Sequence, residues 1–140
     1  MDFDQQPITP ADQQFFAAFE AGQITNQHFH HRDHLRLAWI QISRLGLDRA
    51  SDAVAGAIRH FADRHGHADR YHETMTRFWL RAVGLGIKRH PMLPFDELLA
   101  AEPHLLDKNL PFSHWSRERM GSDEARRQWV EPDLRLMPAL

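Results

Sequence analysis

The chain has 140 residues, 42% of them hydrophobic, with a net charge of -2 and no cysteine. That is enough apolar material for one compact domain and too much for a disordered chain. The charge balance speaks against a nucleic-acid partner held by bulk charge. The missing cysteines exclude disulfides, thiolate metal sites and a Cys nucleophile.

The opening MDFDQQPITP is acidic and polar, which predicts no secretory signal, and no apolar run suggests a membrane span. The expected setting is cytoplasmic. Helical periodicity runs through the chain, and no segment alternates with a period of two. A first helix is expected after Thr9, with Pro10 at its first position, an apolar stripe of Phe15, Phe16 and Phe19, and a stop at Gly22.

A second helix carries Leu35, Ala38, Trp39, Ile42 and Leu45 and stops at Gly46. Its start falls either at Asn26, as a cap, or near His30 with Asp33 in the first turn. A third is expected from Asp48 to Arg64, with Ala50, Val54, Ala57, Ile58 and Phe61 inward, ending at His65 and Gly66. For a fourth, Asp69 reads as the cap, and the helix runs before Pro91.

Beyond this, Pro91, Pro94, Pro103 and Pro111 cut the chain into short pieces. PFDELLAAEP predicts a short helix and SDEARRQWV a last one capped by Ser122. EPDLRLMPAL reads as an extended tail lying on the body. The predicted fold is all-α: a single domain over 1–140, a bundle of about four main helices with a Pro-divided C-terminal segment.

Eleven histidines are many for this length. Helical spacing sets His31 and His34 on the stripe that continues through Leu35, Ala38 and Ile42. His72 heads a second stripe through Thr76, Trp79 and Val83. Short connections make consecutive helices antiparallel, so the second and fourth helices begin at the same end of the bundle. His31, His34 and His72 are therefore expected to converge.

Burial and the positive end of a helix both favour neutral imidazole, the metal-binding form. Three such nitrogens plus an open position suit a divalent zinc, iron, copper or nickel ion. Histidines at helix starts also cap helices or line polar cavities without any metal, and His65, His67, His90, His104 and His114 read as turn or solvated residues.

Several separated blocks, HHRDHLRLAW, YHETMT, LLDK and SDEAR with WVEPDL, resemble a family of small, all-helical bacterial proteins of unknown function. The resemblance implies no activity. It does place His31, His34, His72, Glu73, Thr74 and Arg126 inside the shared blocks. The DinB-like helical metal enzymes are similar in plan, but the order of the histidines here departs from theirs, so they serve only as an analogy.

Three functional expectations follow. In the first, a small-molecule enzyme holds a divalent metal on His31, His34 and His72. Glu73 acts as general base, Tyr71 and Thr76 orient the substrate, Trp39 and Trp79 wall the pocket, and Arg126 pairs with an anionic group. In the second, the same residues form a metal-free small-molecule pocket. In the third, the chain is a structural or interaction module, with its apolar tail packed on a partner or a second copy. None of the three involves nucleic acid or a membrane.

Overall fold

The computed structural model describes residues 6–139. Among them are seven α-helices and no strand. The long ones are α1 (Pro10–Glu20), α2 (His31–Leu45), α3 (Leu47–Arg64) and α4 (Glu73–Arg89); α5 (Phe95–Ala101), α6 (Arg117–Met120) and α7 (Asp123–Arg127) are short. The expected all-α bundle of about four main helices is present. No helix among the described residues is long and apolar enough to cross a membrane.

Local chemistry sets most boundaries. Thr9 accepts from the N–H of Asp12 while the Asp12 carboxylate accepts from the N–H of Thr9, closing a capping box ahead of Pro10. The second helix takes the later of its two expected starts. Asn26 belongs to a separate 3₁₀ turn (Asn26–His28), and Asp33 in the first turn of α2 accepts from the N–H of His30. Gly46 alone joins α2 to α3. Its φ of 80° is where a side chain would be strained, and its N–H closes α2 on the Ile42 carbonyl.

The expected cap of the fourth helix is corrected. Asp69 lies in a 3₁₀ turn (Ala68–Arg70), and α4 begins only after His72, which is itself the cap. Tyr71 stands in extended conformation between the two.

Helices α2, α3 and α4 pack against one another as the central layer, α1 lies on α2, and α7 lies on α4. Fully buried Leu35, Ile42, Phe78, Val83 and Leu105 fill the space between them, with Trp39 and Trp115. Side chains of this size each contribute about 1.5–3 kcal/mol on burial.

The C-terminal third wraps this layer through two further 3₁₀ turns, Pro103–Leu106 and Leu110–Ser113, then α6 and α7. Ser122 caps α7 as expected, while α6, capped by Ser116, was not anticipated in so proline-cut a region. The tail lies on the body: Leu134 N–H donates to the His114 carbonyl, and Arg81 reaches the Pro138 carbonyl. His114, read as solvated from sequence, is buried, with Nδ1 bonded to the Arg135 carbonyl.

The wrap is irregular, so its backbone must find partners outside regular ladders. Fully buried Thr74 supplies two: its hydroxyl donates to the Gln128 carbonyl at 2.8 Å and accepts from the Val130 N–H at 3.2 Å. Trp115 Nε1 donates to the Val130 carbonyl at 3.0 Å. Thr74→Val keeps the shape and removes both hydroxyl bonds, leaving the buried Val130 N–H unpaired. Urea denaturation is expected to show a loss of about 1–3 kcal/mol.

Candidate functional site

A cavity of about 380 Å³ opens where α2 and α4 begin and α3 ends. Helix α2 contributes His31, His34 and Ala38, and α4 contributes Met75, Thr76 and Trp79. Val54, Ile58 and Phe61 of α3 form the opposite wall, and Phe29, Arg70, Tyr71 and His72 are among the other lining residues. The antiparallel order expected of α2, α3 and α4 thus brings the three predicted histidines to one cavity.

An aromatic cluster supports one side. The Phe29 ring sits 4.8 Å from Phe61 and 5.2 Å from Phe19, and the His34 imidazole lies 4.2 Å from Phe29. His31 meets Trp79 edge-on at 4.4 Å. Phe29 stacks on Phe19, while the tilted and edge contacts of Phe61, His34, His31 and Trp79 suit the ring quadrupoles.

The imidazoles differ in what they are free to do. His72 Nδ1 accepts from the Met75 N–H at 3.1 Å, capping α4, and so is unprotonated. Its Nε2 then carries the proton and donates to the Met120 carbonyl at 2.6 Å. Both nitrogens are committed. His31 Nε2 faces the Leu105 carbonyl at 2.9 Å, which can only accept, so Nδ1 is the open nitrogen. The His34 ring makes no hydrogen bond within the described residues.

This arrangement does not fit the expected three-histidine metal centre. Among the described residues no group of three or more His, Cys, Asp or Glu side chains is placed to hold a metal ion. The physical reason is His72, which holds α4 and the wrap together with the nitrogens a metal would need.

Burial pushes His34 down to about 4, helped by the neighbouring His31 and opposed by Asp33. His31 is also lowered, first by burial and then by Lys108, with the bond to the Leu105 carbonyl acting the other way. Both rings are therefore neutral at neutral pH.

The structure also places the other expected site residues: Glu73, Tyr71, Thr76, Trp39 and Arg126. Glu73 lies outside the cavity lining. Its carboxylate accepts from Tyr71 Oη at 2.6 Å, from Arg77 Nε at 2.7 Å and from Arg59 Nη2 at 3.2 Å. Burial alone would raise this carboxyl, but the bonds from Tyr71 and Arg77 outweigh it and hold it below its usual range. A carboxylate so fully donated to is an anchor and not a base free to reach a substrate.

Tyr71 lines the cavity. Its hydroxyl is fixed on Glu73, and burial followed by that bond raises it to about 12. Thr76 faces the cavity while its hydroxyl donates back to the His72 carbonyl at 2.8 Å.

Trp39 is no wall. It is fully buried against Phe95, ring centroids 5.8 Å apart, because position 39 lies a step round the helix from the face of Ala38. Its indole N–H has no hydrogen-bond partner among the described residues, and nothing in the structure explains that. Arg126 lies at a second, open cleft with Arg59 and Asp69, where its Nη1 donates to the Asp69 carbonyl at 2.8 Å.

Sequence reasoning missed Phe29, Asn26, His67 and Arg70 as lining residues. Their segments are irregular and carry no periodicity that would aim them. The Val54, Ile58 and Phe61 face of α3 was legible as inward, but periodicity does not tell core from cavity wall.

No protein-family model, no curated protein and no solved structure matches this chain.

Two measurements check this geometry. An unfolded His34 takes up its proton near its ordinary 6.5, and the folded one near 4. Between those values the unfolded state binds more protons, so stability is full above about pH 6.5 and falls as pH drops towards about 4. The loss is on the order of 3 kcal/mol. His34→Gln is expected to flatten that part of the urea-stability profile, leaving the smaller contribution of His31, which has the same sign. Separately, His72→Ala is expected to cost about 1–2 kcal/mol through the lost cap and carbonyl bond. His72→Asn should recover the share due to the cap.

Proposed function

We propose that the protein binds an apolar, ring-bearing small molecule in the histidine-lined cavity, without a metal ion. The observation that carries this is a cavity of about 380 Å³ walled by aromatic and aliphatic side chains, with an unbonded, neutral His34 among them. Its volume falls within the range of small-molecule sites, and so does its mix of apolar walls with a few polar groups. His34 and the open Nδ1 of His31 offer hydrogen bonds to one polar group of the ligand.

Recognition is favoured over base catalysis by a physical argument. A general base works best when it titrates near the operating pH. An imidazole held near 4 is a weak base at neutrality but a good neutral hydrogen-bonding group. An enzymatic role would rest on a ligand that brings His34 back towards neutrality, and Glu73, tied to Tyr71 and Arg77, would stay outside the chemistry.

The resemblance to small helical bacterial proteins belongs to the same reading. Blocks that carry it are bonded to one another: His31, which lines the cavity, to Leu105, and Thr74 to Val130. A cytoplasmic setting, with no nucleic-acid or membrane partner, completes it.

The test is a screen of mono- and bicyclic aromatic fragments by NMR on the full chain. Shifts are expected to cluster at His31, His34, Thr76 and Trp79 and to vanish in Thr76→Trp, with melting temperature monitored to confirm folding. One equivalent of zinc is expected to leave the melting temperature of the wild type unchanged, whereas a bound fragment raises it. Shifts confined to other surfaces, or stabilisation by zinc that His34→Gln removes, would overturn the reading.

A further inference from the structure

We infer that the ligand of this cavity is a carboxylate, its apolar body against the packed Phe29–Phe61 pair and Trp79 and its charged group held by Arg70 at the exposed edge. The inference rests on the small-molecule reading above and adds the charge class of the ligand. The cavity lining contains no aspartate, glutamate or lysine, and Arg70 is its one permanently charged side chain. A cationic ligand would meet no counter-charge there, and an uncharged one would leave the guanidinium unused.

Arg70 is also free to act. It forms no ion pair among the described residues. Its neighbours around Tyr71 are engaged: Arg59 with Glu73, Arg77 with Glu73 and Asp52, and Arg126 with the Asp69 carbonyl. The turn that carries Arg70 is held in place, since its own N–H donates to the His67 carbonyl at 2.8 Å and the Tyr71 N–H returns to Ala68.

Arg70 is exposed while the aromatic walls behind it are buried or half-buried, so the site has an apolar interior and one charged edge. A single guanidinium offers a planar fork that matches one carboxylate in two parallel bonds. A phosphate dianion would call for more positive charge than one arginine supplies.

Calorimetric titration of the full chain with three probes of one ring system tests this: naphthalene-1-acetate, naphthalene-1-acetamide and 2-(1-naphthyl)ethylamine. The carboxylate is expected to bind about tenfold or more tightly than the amide, a difference of about 1.4 kcal/mol, and the amine weakest. Arg70→Gln, an exposed change away from the core, is expected to bring the carboxylate down to the level of the amide and leave the amide unchanged. Arg127→Gln, at the other cleft, should behave as wild type.

An amide or amine that binds as tightly as the carboxylate overturns the charge assignment while the cavity reading stands. So does a carboxylate preference that survives Arg70→Gln. If none of the three binds, the cavity reading itself fails and this inference with it.

Discussion

The site depends on one constraint: an irregular C-terminal wrap has carbonyl and N–H groups that must be paired, and the first turns of α2 and α4 supply the partners. His31 takes the Leu105 carbonyl, His72 the Met120 carbonyl, and Thr74 the backbone of Gln128 and Val130. Buried backbone groups left without partners are costly, so these bonds are close to obligatory once the wrap lies where it does. They hold two helix beginnings side by side, and the cavity is the space left between them.

That constraint also sorts the histidines. The ring that must cap α4 and reach Met120 has no nitrogen left, the ring on Leu105 has one, and His34 has both. Three side chains of one chemical type at one place thus have three different capacities. Charge follows the same division, since burial keeps His34 and His31 neutral and leaves Arg70 to give the cavity its sign.

Much of the fold was legible because it rests on local rules. Apolar spacing gave the four long helices, Gly46 gave the joint between α2 and α3, and Ser122 gave the last cap. The convergence of residues 31, 34 and 72 was legible too, from helix order alone. The hydrogen bonds were not. Nothing in the spacing of His72 tells that a carbonyl 48 residues later will take its Nε2. Glu73 looked like a base because it adjoins a histidine, yet its surroundings come from Arg59 and Arg77 on two different helices. Trp39 and Arg126 were misplaced for a related reason. A helical position fixes a direction, but only packing decides whether a void or another side chain lies there.

The wrap has a consequence for how the molecule comes into being. The partners of His31, His72 and Thr74 lie 48 to 74 residues further along the chain. Synthesis runs from the N-terminus, and contacts of large sequence separation form late. On the ribosome, α2, α3 and α4 are all made before the carbonyls that clamp their ends. The nascent bundle therefore passes through a stage in which the beginnings of α2 and α4 are not yet clamped, and the cavity between them is fixed only once residues 105–130 have been made.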